Sequence, residues 1–128
     1  MYELTVKASF SAAHSLRDYD GPCSRVHGHN WGVEVVVSGR ELQPNGMLVD
    51  FGDIKKATNK VLDLLDHNKL DEIKPFDTLN PTSENLARWI YEQVGSRVNS
   101  DTVKVVRVNV REAETSCASY FEDAGEGK

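Results

Sequence analysis

The chain has 128 residues, of which 39% are apolar, and this predicts a single domain with a modest hydrophobic core. Its formal charge of -5 argues against nucleic acid or an anionic membrane as the main partner, because both favour clustered Lys and Arg. No apolar run is long enough to cross a membrane and the N-terminus lacks the layout of a signal peptide, so we expect a cytoplasmic protein.

Two strands are predicted in the first third of the chain from alternating apolar and polar side chains. The first covers residues 2–10 and is followed by a polar loop that ends at Gly21-Pro22. The second has four apolar residues on one face: Trp31, Val33, Val35 and Val37. His29 belongs to that face, because side chains two residues apart project from the same side of a strand.

Two helices are predicted next. Asp50 can cap the first, whose apolar residues recur at helical spacing and which runs down to Asp66-His67-Asn68. The second helix opens at Asn80-Pro81-Thr82-Ser83-Glu84, where Thr82 or Ser83 is the expected cap. It ends at Gly95 or Asn99.

The chain then returns to strands, one from Thr102 and one from Ser116 to Glu122. Strict alternation places Val106, Val108 and Val110 on the same face as Glu112, and Val103 and Val105 on the other. This order predicts an α+β fold with a four-stranded antiparallel sheet and both helices on one face. Residues 1–123 would form the domain and 124–128 a disordered polar tail. Unpaired, Val-rich sheet edges predict a homo-oligomer whose sheets join edge to edge.

A candidate metal site lies in the segment from Cys23 to His29. His27 and His29 would direct two ring nitrogens to one point if the segment enters a strand, and His14 ends the preceding strand. Three neutral imidazoles with an open fourth position are typical of catalytic zinc, whereas a structural site is closed by a fourth protein ligand. Cys23 could be that ligand or a reactive thiol beside an open site.

A second candidate group lies further along the chain. Asp66 could fix the tautomer of His67 and leave one ring nitrogen free to move a proton, or the pair could be an ordinary polar helix end. Glu112 ends an apolar row and would suit a ligand with two parallel N–H donors, unless it turns to water or pairs with arginine. Glu114 has the same parity and competes for this role.

Together these segments resemble the 6-pyruvoyl-tetrahydropterin synthase and 6-carboxytetrahydropterin synthase family. The resemblance covers nearly the whole chain and rests on the joint order of these segments: Phe10 to His14, Cys23 to His29, Asp50-Phe51, Leu65 to His67, Asn80 to Glu84, Glu112 and Tyr120. It implies the tunnelling fold, in which subunits join their sheets into a barrel as a trimer and two trimers stack into a hexamer.

The resemblance also implies roles for individual residues. His14, His27 and His29 match the zinc ligands, and Cys23 matches a catalytic thiol. Asp66 and His67 match a proton-transfer pair that reaches the site of a neighbouring subunit. Glu112 matches the carboxylate that anchors the pterin ring, with Glu114 as the alternative. The lining of the pterin pocket is matched by Thr82, Ser83 and Glu84.

The implied substrate is 7,8-dihydroneopterin triphosphate, and the implied enzyme is a lyase. The short Cys23-to-His29 motif resembles the carboxy branch, which forms 6-carboxytetrahydropterin, acetaldehyde and triphosphate on the way to queuosine. The alternatives are the pyruvoyl branch, an aldolase-like activity, and a zinc- or pterin-binding module without turnover. Arg17, Arg25 and Lys69 are basic candidates for contacting the triphosphate.

Overall fold

The computed structural model describes residues 1–123, apart from the side chain of Cys23. The tail predicted at 124–128 lies outside the described residues. Seven elements of regular structure follow one another: β1 (Tyr2–His14), β2 (His27–Gly39), α1 (Phe51–Asp63), β3 (Asn68–Lys69), α2 (Ser83–Val98), β4 (Val103–Ala113) and β5 (Ser116–Tyr120). Single 3-10 turns occur at Pro22–Ser24 and Leu70–Glu72.

The sheet has five strands in the order β3-β1-β2-β4-β5, so the prediction of four strands was wrong. The additional strand, β3, pairs in parallel with β1 through Ala12 and Ala13. A strand of two residues is too short to show alternation in a sequence. Helix α1 is also shorter than predicted. It ends at Asp63 instead of reaching residues 66–68, and the chain then turns into β3.

The hydrophobic core lies between the sheet and the two helices. Helix α1 packs on β1, α2 packs on β4 and β5, and the helices contact each other. The α1 residues that enter the core include Ile54, Val61 and Leu62, whereas Leu64, just beyond the end of the helix, is exposed. No helix within residues 1–123 is long and apolar enough to cross a membrane.

Strand β4 departs from the predicted alternation. Val36 of β2 pairs with Arg107 and Val37 pairs with Val105, so Val106 is an extra residue that faces no partner on β2. This β-bulge resets the alternation, and Val103 and Val105 are buried in the same core as Val108 and Val110. The prediction that these two pairs lie on opposite faces was therefore wrong.

Both helix starts agree with the predicted caps. The Asp50 carboxylate accepts a hydrogen bond from the N–H of Gly52, and the Thr82 hydroxyl oxygen accepts one from the N–H of Asn85. Thr82, rather than Ser83, is therefore the cap of α2, and Asn99 follows its last residue. The caps fix where each helix begins relative to the sheet.

We expect the helix-to-sheet packing to dominate the stability of the chain. Ile90 of α2 is fully buried, so Ile90→Ala should lower the free energy of unfolding by about 2–5 kcal/mol through lost burial and a residual cavity. Ser96→Ala, on the exposed side of the same helix, should change it by less than about 0.5 kcal/mol. Urea unfolding of both variants at one protein concentration checks this, and equal losses would contradict it.

Candidate metal centre and surrounding residues

The pairing of β1 with β2 brings three histidines to one end of the sheet. His14 pairs with His27 across the two strands, and Ala12 pairs with His29. Directly paired residues share a face, and so do residues two apart, so all three imidazoles project from the side that carries Trp31. Trp31 is fully buried beneath them, with its ring centroid 4.9 Å from that of His14 and 5.1 Å from that of His29.

Glu112 joins the histidines from β4. Its carboxylate oxygen Oε2 lies 3.4 Å from Nε2 of His14 and 3.3 Å from Nε2 of His29. On the β5 side the pairing shifts between Arg111 and Ala113, so Glu112 sits at a second bulge of β4. Bulges re-aim side chains at the ends of strands, and here the carboxylate points to the imidazoles. The four potential ligand atoms all lie within 4.8 Å of one another.

Backbone carbonyls determine which ring nitrogens carry protons. Nδ1 of His14 lies 2.7 Å from the carbonyl oxygen of Pro81, and Nδ1 of His27 lies 2.7 Å from that of Arg25. A carbonyl oxygen only accepts hydrogen bonds, so each Nδ1 must be protonated to form these bonds. In the neutral rings, each Nε2 then has a free lone pair, and the two Nε2 atoms are 3.0 Å apart.

The third histidine has a nitrogen without a hydrogen-bond partner. Nε2 of His29 is buried and forms no hydrogen bond within the described part of the chain, although Glu112 is near it. Burial lowers the pKa of His29 and of His14 below the ordinary value, so both rings are neutral at pH 7. Neutral imidazoles are the form that binds metal ions.

The donor set fits a zinc ion. Zinc–nitrogen bonds of about 2.0–2.1 Å in a tetrahedron place two ligand nitrogens roughly 3.3 Å apart, close to the 3.0 Å between the His14 and His27 nitrogens. A cation would also satisfy the buried nitrogen of His29 and relieve the repulsion between facing lone pairs. His14, His27 and His29 could thus hold the metal, and Glu112 could act as a further ligand or as an acceptor beside it.

Glu114 does not share this position. It lies exposed in the turn between β4 and β5, one residue beyond the end of β4. The structure therefore brings Glu112, and not Glu114, to the histidines.

The Asp66-His67 pair lies elsewhere. Its two side chains are in contact, with Oδ2 of Asp66 3.0 Å from Nδ1 of His67. The backbone N–H of Ser11 donates to Oδ1 of Asp66 at 2.8 Å, and this bond is the main reason that the pKa of the carboxyl is lowered. His67 is 81% exposed and lines a shallow depression of about 510 Å³ together with Ser11, Lys69 and the segment 28–30, which contains His29.

This depression opens on the opposite side of the sheet. Ser11 and Ala13 alternate with the core-facing residues Ala12 and His14 of β1. Lys69 pairs with Ala13, so it belongs to the outer face. Among the described residues, neither Asp66 nor His67 belongs to the group of potential ligand atoms that lie within 4.8 Å of one another at the histidine cluster.

The start of α2 lies directly beside the histidine cluster. Pro81, whose carbonyl orients His14, immediately precedes the cap Thr82. Ser83 begins the helix, and Glu84 is exposed in its first turn. These three predicted pocket residues therefore lie close along the chain to the metal-binding candidates, and the hydroxyl oxygen of Thr82 is occupied as a helix cap.

The backbone of Cys23 belongs to the 3-10 turn in the loop between β1 and β2. Its side chain lies outside the described part of the structure, so the role of the thiol stays a prediction. Of the basic candidates, Arg17 is engaged in the protein: its guanidinium contacts Asp71 at 3.3 Å and the carbonyl oxygen of Phe76 at 2.9 Å. Asp71 was not predicted from the sequence, because a lone aspartate in a polar loop has no distinguishing pattern.

Comparison with known proteins gives a family-level match. A family model described as 6-pyruvoyl tetrahydropterin synthase matches residues 3–123. A relative from Archaeoglobus fulgidus, named putative 6-carboxy-5,6,7,8-tetrahydropterin synthase, is 39% identical over 113 residues, covering 88% of this chain and 90% of the relative. A relative from Bacillus subtilis, named 6-carboxy-5,6,7,8-tetrahydropterin synthase, is 37% identical over 125 residues, covering 93% of this chain and 84% of the relative.

Two further matches bear on function and fold. A relative from Pyrococcus furiosus named dihydroneopterin monophosphate aldolase is 38% identical over 106 residues, covering 83% of this chain and 85% of the relative. The structure of Caenorhabditis elegans 6-pyruvoyl tetrahydropterin synthase matches with a TM-score of 0.85 and 31% identity, covering 95% of this chain and 96% of that chain. This structural match confirms the predicted tunnelling fold.

Removing one imidazole should abolish tight zinc binding. His29→Ala deletes a buried nitrogen that faces the cluster. Mutating a residue that only supports a metal ligand lowers metal affinity by about 10–100-fold, so we expect the loss of a ligand itself to lower zinc affinity by at least that factor. Zinc bound per chain after dialysis against a weak chelator measures this. His67→Ala is the matched control, because His67 lies on the other face of the sheet, and equal zinc loss in both variants would contradict the assignment.

Proposed function

Because the chain belongs to the 6-pyruvoyl tetrahydropterin synthase family, we propose that it is a zinc-dependent 6-carboxy-5,6,7,8-tetrahydropterin synthase. The family assignment makes it a pterin synthase, an enzyme of the lyase type. The proposed reaction converts 7,8-dihydroneopterin triphosphate to 6-carboxytetrahydropterin, acetaldehyde and triphosphate, in the route to queuosine. Two relatives with this enzyme name, at 39% and 37% identity, support the carboxy branch.

The observation that carries the proposal is the convergence of three imidazoles on one point. His14, His27 and His29 would hold the zinc ion. When bound, zinc would act as a Lewis acid that stabilises negative charge on the oxygens of the substrate side chain. The carbonyls of Pro81 and Arg25 support this role, since they keep the binding nitrogens of His14 and His27 free of protons.

Glu112 would orient the pterin ring. A carboxylate can accept two parallel N–H donors, which the ring offers at N3 and at its 2-amino group. The position of Glu112 beside the histidines supports this, because the ring and its reacting side chain must lie next to each other. Thr82, Ser83 and Glu84 would line the pocket from the start of α2.

Proton transfer would fall to Cys23 and to the Asp66-His67 pair. The contact with Asp66 places the proton of His67 on Nδ1, so that Nε2 is free to accept or return a proton. The lowered pKa of Asp66 keeps its carboxyl ionised, so that the carboxylate can accept a hydrogen bond from Nδ1 of His67. Cys23 would act as a thiolate on the side chain of the substrate.

A homo-oligomer would complete the site. The Asp66-His67 pair would act on the histidine cluster of a neighbouring chain, and this is supported by its absence from the group of potential metal ligands of its own chain. The outer edge of β1 is paired only at Ala12 and Ala13 within residues 1–123, which leaves the rest of the strand free to pair with another subunit. The proposed assembly is a hexamer of two trimers in the cytoplasm, with residues 1–123 as one domain.

Two other functions have specific support. The solved C. elegans structure carries the name of the pyruvoyl enzyme, which would stop after eliminating triphosphate. The P. furiosus relative carries the name of a monophosphate aldolase. Against an aldolase-like activity, Ser24, Arg25 and Val26 beside Cys23 offer no carboxylate that could replace or supplement the thiol.

Product analysis separates these functions. Zinc-loaded protein incubated with 7,8-dihydroneopterin triphosphate should release acetaldehyde and form 6-carboxytetrahydropterin, both followed by mass spectrometry. A 6-pyruvoyl product without acetaldehyde would assign the pyruvoyl branch, and preferential cleavage of the monophosphate would assign the aldolase. If the protein holds zinc but converts none of these substrates, the enzyme proposal fails.

The thiol can be tested separately. Cys23→Ala should lower kcat by about 100-fold or more while zinc stays bound, because loss of an acid or base group removes that much rate. Cys117→Ser is the matched control, since Cys117 is an exposed free thiol on β5. Loss of zinc from Cys23→Ala would instead identify Cys23 as a fourth ligand of a structural site.

A further inference from the structure

The β1–β2 loop, residues 15–26, leaves the sheet directly after His14 and carries Cys23. Two side chains from the connection between α1 and α2 hold its first residues in place, and we call Asp71 and Asn80 the loop clamp. Asp71 belongs to the 3-10 turn Leu70–Glu72, and Asn80 lies three residues before α2.

Asp71 binds the loop through three contacts. Its carboxylate accepts from the backbone N–H of Ser15 at 3.0 Å, from the Ser15 hydroxyl at 3.1 Å and from Nη1 of Arg17 at 3.3 Å. The Asp71 side chain is only 10% exposed, so these bonds compensate for the cost of removing a carboxylate from water. Arg17 also donates to the carbonyl oxygen of Phe76, which fixes the guanidinium from a second side.

Asn80 binds the loop through both ends of its amide. Its Oδ1 accepts from the backbone N–H of Arg17, and its Nδ2 donates to the Arg17 carbonyl oxygen, each at 2.9 Å. This reciprocal pair gives Arg17 the bonds that a neighbouring strand would give. The Asn80 carbonyl oxygen in turn accepts from Nδ2 of Asn85 in α2, so the loop is tied to the helix.

The second half of the loop is held differently. Between Gly21 and Arg25, the hydrogen bonds described within residues 1–123 either stay inside the loop, as from the N–H of Ser24 to Gly21, or join the Arg25 carbonyl oxygen to Nδ1 of His27 at the start of β2. The bonds of Ser15 and Arg17 are therefore the ones that tie the loop to the α1–α2 connection. The same connection orients His14 through Pro81, the residue after Asn80.

We propose that Asp71 and Asn80 are positioning residues of the reaction, which hold the β1–β2 loop, and with it Cys23, in register with the histidine cluster. The inference rests on the proposed function, in which Cys23 acts beside the metal ligands. Both anchors come from the segment that orients His14, so the start of the loop and this metal-binding candidate are held by the same part of the chain. Misplacement of a reacting group by about 1 Å can cost as much as 100-fold in rate.

The test uses the full chain carrying Cys117→Ser, so that Cys23 is the single thiol. Asp71→Ala should lower kcat by about 10–100-fold with zinc content unchanged, and the freed loop should raise the alkylation rate of Cys23 by iodoacetamide on the order of threefold. Asp71→Asn should keep both kcat and the alkylation rate of Cys23 close to the wild-type values, because the amide oxygen of asparagine can still accept a hydrogen bond from Ser15. Asp63→Ala, at the exposed end of α1, is the control and should change neither.

The outcomes are distinct. Unchanged alkylation and kcat in Asp71→Ala would overturn the inference, and so would a loss of zinc, which would place Asp71 in the support of the metal ligands. If Asp71→Ala does not fold, Asn80→Ala takes its place as the variant that breaks the clamp, and Asp71→Asn remains the conservative variant for comparison. If the wild-type chain converts no pterin, the proposed function fails on its own, while alkylation of Cys23 still reports whether the clamp holds the loop.

Discussion

The candidate metal centre depends on one close contact, the 3.0 Å between Nε2 of His14 and Nε2 of His27. The carbonyls of Pro81 and Arg25 accept from Nδ1 of the two rings, so in neutral rings both facing Nε2 atoms carry lone pairs, and a cation between them would relieve their repulsion. Burial of His14 and His29 lowers the pKa of both rings and discourages a proton from serving as that cation. The packing of β1, β2 and Trp31 holds this arrangement together, which explains why a polar cluster can lie at the end of a hydrophobic core.

Separation of chemistry between the two faces of the sheet is the second organising feature. The inner face carries the histidines and Glu112, and the outer face carries His67 beside Ser11 and Lys69. Successive side chains of a strand point to opposite faces, which is how β1 separates Ser11 and Ala13 from Ala12 and His14. Within residues 1–123, the outer edge of β1 is paired with β3 only at Ala12 and Ala13.

Much of the site could be predicted from the sequence because it obeys the period of a strand. The spacing of His27, His29 and Trp31 places them on one face, and Glu112 follows Val108 and Val110 by the same rule. Three features could not be predicted. The two-residue strand β3 is too short to leave a pattern, the bulge at Val106 has no sequence signal, and the support of His14 comes from the Pro81 carbonyl, which every residue possesses.

The bulge at Val106 has a consequence for the site at the far end of β4. Val103 and Val105 face the core, and strict alternation from them would turn Arg107, Asn109 and Arg111 inward and Glu112 outward. The extra residue acts as a phase shift, so that the carboxylate emerges on the side of the imidazoles. Loss of one valine in mid-strand would leave each half of β4 a plausible strand, yet the carboxylate would face the wrong side of the sheet. The number of residues in β4 is therefore as important for this candidate site as the identity of the side chains that form it.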